Sequence, residues 1–279
     1  VPIGFQAAAF KDLIDVERVE VLRGPQSTLF GKSAIAGVLN IVTAAPASTF
    51  GGKAMALTTD DGEKRAGFTV TGPISDTVRL RLTVAKSDYD GNLKNLTTGK
   101  NVNGSSGLTA TAKIEWTPTA NLKLSLAPRF NHTVSSCCAS AITELTPGLF
   151  YQGEPAFPAS LTLRGITIDK NNHFIRADDR IGGGNSEVFG GTARLDYDFA
   201  EGSILKGHTF SSITSRDRWK MTDFQDIDGT DQPFLLGFPV ASPSGINSGA
   251  VINGYFHATS TTQEFRLTSP GSGRLRYVT

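Results

Sequence analysis

Residues 77–84 read Thr-Val-Arg-Leu-Arg-Leu-Thr-Val, and this run restricts the fold more than any other. Val78, Leu80, Leu82 and Val84 fall on one side of an extended chain; Thr77, Arg79, Arg81 and Thr83 fall on the other. Successive side chains of a strand point to opposite faces, so strict alternation over eight residues predicts a strand that is apolar on one face only. Residues 122–126 repeat the pattern, and weaker versions occur at 67–71, 108–116, 188–197, 204–214 and 261–267. Another strand is expected to begin at residues 275–279. The chain is therefore mainly β.

The connections between these strands alternate in length. Short, turn-rich links are expected at residues 72–76, 117–121, 199–203 and 269–274. Long polar stretches lie between them, at about residues 88–106, 133–186 and 219–258. A water-soluble sandwich has no reason to place a long loop at every second turn. A transmembrane antiparallel β-barrel does, because its periplasmic turns are tight and its extracellular loops long. On that reading Val78, Leu80, Leu82 and Val84 face lipid, while Arg79 and Arg81 face a wet lumen.

Composition agrees with strands and turns. Gly is abundant at 30, Met is only 2, and 27 basic residues nearly balance 26 acidic ones. That balance gives no basic surplus for nucleic acid. No stretch approaches the run of about 18 apolar residues that a membrane-crossing helix needs, which leaves barrel strands open. His132, His173, His208 and His257 are scattered without metal-ligand spacing, and no cofactor is expected. Gly31-Lys32-Ser33 resembles the end of a phosphate loop, but Gln26 stands where the required glycine would be. No nucleophile–base set or paired carboxylate arises from spacing, so no enzyme is expected. Cys137 and Cys138 are adjacent; they read as small loop residues or as a strained vicinal disulfide. The Asn-x-Thr/Ser triplets at Asn95, Asn103 and Asn131 carry no functional reading.

Residues 1–46 have a different texture. Lys11 to Leu22 reads as a short helical turn running into a strand that Gly24-Pro25 stops. Residues 27–30 suggest a second helical turn closed by Gly31, and residues 36–43 form a short apolar, β-branched run that reads as a buried strand. Residues 44–48, with Pro46, look like a linker.

The stretch Asp15-Val16-Glu17-Arg18-Val19-Glu20-Val21-Leu22-Arg23-Gly24-Pro25-Gln26-Ser27-Thr28-Leu29-Phe30-Gly31-Lys32, continued by Gly37-Val38-Leu39-Asn40-Ile41-Val42-Thr43, resembles the last part of the plug domain of TonB-dependent outer-membrane receptors. Gly72-Pro73-Ile74-Ser75-Asp76 and Glu115-Trp116-Thr117-Pro118 resemble the first barrel hairpins of the same family. The resemblance implies a barrel of about 22 strands filled by an α+β plug. About nine of those strands are expected here: residues 1–46 as the end of the plug and 47–279 as the opening part of the barrel. The chain starts at Val1 without a signal segment or TonB box and ends without an aromatic-terminated closing strand, so it is expected to be an internal piece.

The resemblance further implies active transport of a scarce nutrient across the bacterial outer membrane, with a ferric siderophore or similar iron chelate as the default cargo. Its partners are the TonB energy-coupling complex, outer-membrane lipid and the small-molecule ligand. Arg23 is expected to face a barrel-wall carboxylate, with Glu17 and Glu20 as weaker candidates for plug–barrel contacts. Gly24, Pro25 and Gly31 shape plug turns. Phe150, Tyr151, Phe157, Phe234, Phe238 and Tyr255 are candidates for stacking on ligand from the long loops. Uptake of glycans or aromatics, a passive porin and a soluble β-protein are the alternatives; residues 15–43 argue against the porin, and the uneven loops against the soluble protein.

Overall fold

A computed structural model of the chain describes residues 15–26, 34, 36–136, 139, 141, 150–151, 154–155, 170–171, 174–175, 183–226, 234–235, 238–239, 251–271 and 276–278. The strands are β1 (Val16–Arg23), β2 (Gly37–Thr43), β3 (Gly51–Thr58), β4 (Glu63–Pro73), β5 (Val78–Tyr89), β6 (Leu93–Asn95), β7 (Asn101–Val102), β8 (Ser105–Thr119) and β9 (Leu122–Ser135). They continue as β10 (Phe150–Tyr151), β11 (Glu154–Pro155), β12 (Phe174–Ile175), β13 (Gly183–Asp198), β14 (Thr209–Asp226), β15 (Phe234–Leu235), β16 (Phe238–Pro239) and β17 (Val251–Thr268). Among the described residues there is no helix, and the helical turns expected around residues 11–14 and 27–31 lie outside them.

Strands β1 and β2 form a separate antiparallel hairpin in which Val19 faces Ile41, Val21 faces Leu39 and Arg23 faces Gly37. Gly37 cannot be replaced without moving the backbone. Its φ is +141°, and a Cβ there would stand 2.5 Å from the Leu22 carbonyl oxygen.

The main body is one eight-stranded antiparallel sheet in the order β17-β14-β13-β9-β8-β5-β4-β3. The alternation of residues 77–84 sets its two faces, and register carries them from strand to strand. Lys53, Thr69, Thr83, Thr111 and Arg129 form one continuous row across β3, β4, β5, β8 and β9. On the opposite face Leu80, Ile114, Leu126 and Ala193 form another, and Phe68, Val84, Ala110, Phe130 and Phe189 a third.

Burial on these faces is inverted relative to a water-soluble protein. Thr69, Thr83, Thr109, Glu115, Asn131, Ser211 and Ser215 are buried, while Phe68, Leu82, Trp116, Leu126, Phe189 and Phe265 are exposed. One side of the sheet is thus polar and covered, and the other apolar and exposed. No second layer covers that apolar side among the described residues. Lipid is the solvent that fits such a face.

The strands lengthen along the chain, from 8 residues in β3 to 18 in β14 and β17. About 9–11 residues suffice to cross the hydrocarbon, so the later strands project well beyond it. Because of this the long connections are shorter than the sequence suggests. They run over residues 90–104, 136–182 and 227–250 instead of 88–106, 133–186 and 219–258. Residues 219–226 and 251–258 pair in unbroken register although the sequence there shows no apolar alternation. A backbone ladder does not require apolar side chains, so hydropathy loses a strand that hydrogen bonding continues.

Two expected strands shift. Residues 199–208 form a turn, in which Ile204 is fully exposed, and β14 begins only at Thr209. At residues 275–279 the described residues show a single bridge, between Thr268 and Val278.

Two of the long connections are stitched together above the sheet. Strand β12 pairs in parallel with β6, which pairs with β7. The Asn103 side chain donates to the Ala139 carbonyl at 2.8 Å and accepts from the Ala139 amide at 2.7 Å. Backbone bonds join Asn103 to Ser136 and Ser136 to Gly104. Leu93 and Val102 form a small apolar core beneath, packed against Ala139 and Ala141.

Candidate functional site

The hairpin meets the sheet at its base, where the chain enters β1 and leaves β2. Asp15 directly precedes β1 with a φ of 60°, a left-handed conformation that Asp tolerates better than most residues. Its carbonyl accepts from the Ala44 amide at 3.1 Å, which holds entry and exit side by side. The Asp15 carboxylate, only 6% exposed, lies against the polar face of the sheet. There Arg81 on β5 grips it with both arms: Nε donates to Oδ2 at 2.5 Å, and a terminal N–H donates to Oδ1. Thr83 Oγ1 donates to Oδ2 at 3.1 Å, and Lys53 Nζ on β3 stands 3.6 Å from Oδ1. Thr83 also shares a 2.9 Å hydrogen bond with Thr69 on β4.

A second clasp holds the exit of the hairpin. Lys113 Nζ on β8 donates to the carbonyl oxygens of Thr43 at 3.0 Å and Ala44 at 3.1 Å. The Ala47 amide donates to Thr71 Oγ1 on β4 at 2.9 Å. Four neighbouring strands thus supply the polar groups that receive one hairpin.

The electrostatics favour an ionised pair. Burial pushes the Asp15 carboxyl up. The hydrogen bond and charge of Arg81, followed by Thr83 and Lys53, outweigh that effect and hold the carboxyl below the usual carboxylate value. Bidentate arginine–carboxylate bonding adds direction to the attraction. A buried pair of this kind is costly to break from one side, because the remaining charge is left without a partner. The arrangement is a latch.

Elsewhere on the polar face further charges pair across strands. Glu115 Oε2 lies 3.4 Å from Arg79 and 3.2 Å from Lys123. Arg129 on β9 reaches over β13 to Asp217 on β14, with Nε to Oδ1 at 3.1 Å. Gly190 opens that path, since a Cβ there would stand 2.0 Å from Asp217 Oδ1.

The expected contact residues sit differently from Asp15. Arg23 is exposed at the far end of β1 and has no ion-pair partner among the described residues. Glu17 and Glu20 are both occupied by Arg18, at 2.9 and 2.7 Å, and Glu20 also accepts from Asn40 at 2.7 Å. Gly24, with φ of 82°, turns the chain before the exposed Pro25; Gly31 lies outside the described residues. Arg79 and Arg81 both lie on the polar face, and of the two Arg81 touches the hairpin.

Of the loop aromatics, Phe150 and Tyr151 form β10, while Phe234 and Phe238 fall in the paired strands β15 and β16. Tyr255 is not in a loop. It lies on β17, 72% exposed, on the outward side. Phe157, Cys137 and Cys138 lie outside the described residues. Sequence reasoning passed over Asp15 because an acid before a strand is an ordinary turn residue. Only its partner 66 positions away distinguishes it.

Residues 1–38 match the family model of the TonB-dependent Receptor Plug Domain. The pesticin receptor of Yersinia enterocolitica is 39% identical over 117 residues, which is 42% of this chain and 16% of that protein. The iron-regulated outer membrane virulence protein of Vibrio cholerae is 38% identical over 85 residues, covering 28% of this chain and 13% of that protein. Among solved structures, the ferric yersiniabactin uptake receptor FyuA from Yersinia pestis superposes with a TM-score of 0.68 at 22% identity, over 93% of this chain and 34% of that one. The ferric-catecholate import receptor Fiu from E. coli K12, in its open form, gives 0.62 at 18% identity, over 91% and 36%. The structural matches speak for the fold, and this chain spans a minor part of each relative's length. Plug-domain match, receptor relatives and barrel fold coincide with a hairpin latched to the polar face of an outward-apolar sheet, and together they support a TonB-dependent outer-membrane receptor.

Proposed function

We propose that this chain is part of an energised importer in which the β1–β2 hairpin belongs to a stopper held inside the barrel wall. The observation that carries this reading is the Asp15–Arg81 latch, which ties the hairpin to the wall through side chains at a few points. A contact of that kind is strong enough to keep a pore shut at rest and local enough to be released by a pull. Energy arrives through the TonB coupling complex, and the chain performs no bond-making chemistry of its own.

An iron chelate of the siderophore class is the cargo that the relatives' names favour: one is called an iron-regulated outer membrane virulence protein and another a ferric enterobactin receptor. Phe150, Tyr151, Phe234 and Phe238, in the long connections, are then candidates for stacking on that chelate. The test is uptake of radioactive iron, presented as ferric siderophores, by cells carrying the intact receptor as their sole importer. Uptake should stop when the proton gradient is collapsed. Uptake that survives an uncoupler identifies a passive pore, and growth on a glycan in place of a siderophore identifies a different cargo.

A further inference from the structure

The outward face of the sheet is apolar over β5, β8, β9 and β13, but that character stops early on β14. Its outward residues run Phe210, Ser212, Thr214, Arg216, Arg218 and Lys220, while the inward Ser211, Ile213, Ser215 and Trp219 are buried. Arg216 and Arg218 are exposed and Lys220 is half-buried. Strand β17 places His257 beside them, opposite Lys220 in register, and Arg218 Nε donates to His257 Nε2 at 3.0 Å. Among the described residues none of the three cations has an acidic ion-pair partner, although Glu187 on β13 stands across from Lys220 in register.

The contrast with the other side of the sheet is informative. On β5 the outward Lys86 is neutralised by Asp88 at 3.0 Å and also bonded to Ser106. There an outward cation has an acidic partner on its own strand. On β14 the charge is left uncompensated.

The depth of this cluster follows from its neighbours. Arg218 lies in register with Phe189, the last outward apolar residue of β13, which is 60% exposed. Tyr255 flanks the cluster on β17, also outward and strongly exposed. Exposed aromatics of this kind mark the edge of the hydrocarbon in outer-membrane barrels. A cation is expensive at the bilayer centre and inexpensive at its rim, and an arginine stem can lie along apolar surface while its head reaches the polar layer.

We infer that Arg216, Arg218 and Lys220 form a binding site for the phosphate groups of lipid headgroups at the outer rim of the membrane. Planar guanidinium groups pair with phosphate oxygens through two hydrogen bonds at once, and two arginines with a lysine between adjacent strands suit a phosphorylated headgroup. His257 positions Arg218 by occupying its Nε–H, which leaves the terminal N–H groups for the phosphate. The site rests on the membrane setting of the sheet and is independent of the cargo, so its test contains no transport step.

The experiment uses the intact receptor, purified in a zwitterionic detergent and titrated with a diphosphorylated glycolipid, the same lipid stripped of phosphate, and inorganic phosphate. Bound lipid is read by native mass spectrometry. The receptor should retain the phosphorylated lipid and release the stripped one. The triple substitution R216Q/R218Q/K220Q should weaken retention by about a hundredfold, from roughly fivefold per cation near a charged leaflet. R216K/R218K keeps the charge and should stay within about tenfold of the parent, which separates a lost site from a lost fold. K86Q, on the self-neutralised side, should change nothing. Equal retention by parent and triple variant overturns the proposal, as does indifference to the lipid's phosphates. Competition by inorganic phosphate at lipid-like concentrations also overturns it, because it identifies a small-anion site.

Discussion

The β1–β2 hairpin and the eight-stranded sheet are both antiparallel β-structure, yet they are held in opposite ways. In the sheet each strand is tied to its neighbour by a ladder running most of its length, 18 register pairs in the case of β14 and β17. Among the described residues the hairpin is tied to that sheet at its base, through Asp15, Thr43, Ala44 and Ala47. Continuous backbone pairing makes a wall that opens only by unzipping. A handful of side-chain contacts makes a joint that can part while both bodies stay folded.

The largest effect should come from Asp15→Asn. It keeps the shape of the side chain but leaves Arg81 facing a neutral amide in a largely buried site. Loss of one partner from such a pair costs about 3–5 kcal/mol. Native-state hydrogen exchange should show faster exchange at the amides of residues 16–23 and 37–43, with β5 and β8 unchanged; equal protection in both bodies would refute the joint.

Acid should act through the same contact. The folded carboxyl titrates below its unfolded value, so its contribution is complete above the ordinary Asp value of about 4 and disappears as pH falls through the lowered one. Hairpin protection should therefore be flat across neutral pH and decline only in strong acid. A decline near neutrality would assign the joint to another group.

Leu82→Arg tests the opposite body. It places a cation on the outward face and should cost about 2–4 kcal/mol in membrane assembly, measured by refolding into vesicles. Arg at the neighbouring inward position, Thr83, should assemble but disturb the latch instead. Lys113→Met removes two charge-assisted bonds from a partly exposed site and should loosen only the hairpin exit, by about 1–2 kcal/mol in the same exchange experiment. Thr83→Val should have the smallest effect, about 1 kcal/mol, felt at Asp15 and Thr69.

Much of the wall was legible because lipid and lumen impose a period of two on residues 78–84 and 122–126. Motif resemblance marked the hairpin. The latch was half legible: Arg81 stood out as an inward cation, but nothing local identifies Asp15 as its partner. The upper strands were hidden for a different reason. Above the hydrocarbon neither face must be apolar, so Trp219–Asp226 and the start of β17 lose the periodic signal while keeping the ladder. The asparagines of the three Asn-x-Thr/Ser triplets are structural. Asn95 is fully buried, Asn131 donates to Thr109 at 2.8 Å, and Asn103 closes the bond to Ala139. Short polar side chains that satisfy backbone groups leave no periodic trace in a sequence.

That Asn103–Ala139 bond and the β6–β12 pairing bear on how such a receptor could be re-engineered. Two surface excursions that share strands and a core are coupled as one unit. A graft of either from another receptor should arrive without half of its hydrogen-bonding complement, whereas both transplanted together should carry their mutual fit with them. Exchange of outer surfaces between relatives is thus expected to proceed in matched pairs along this edge of the molecule.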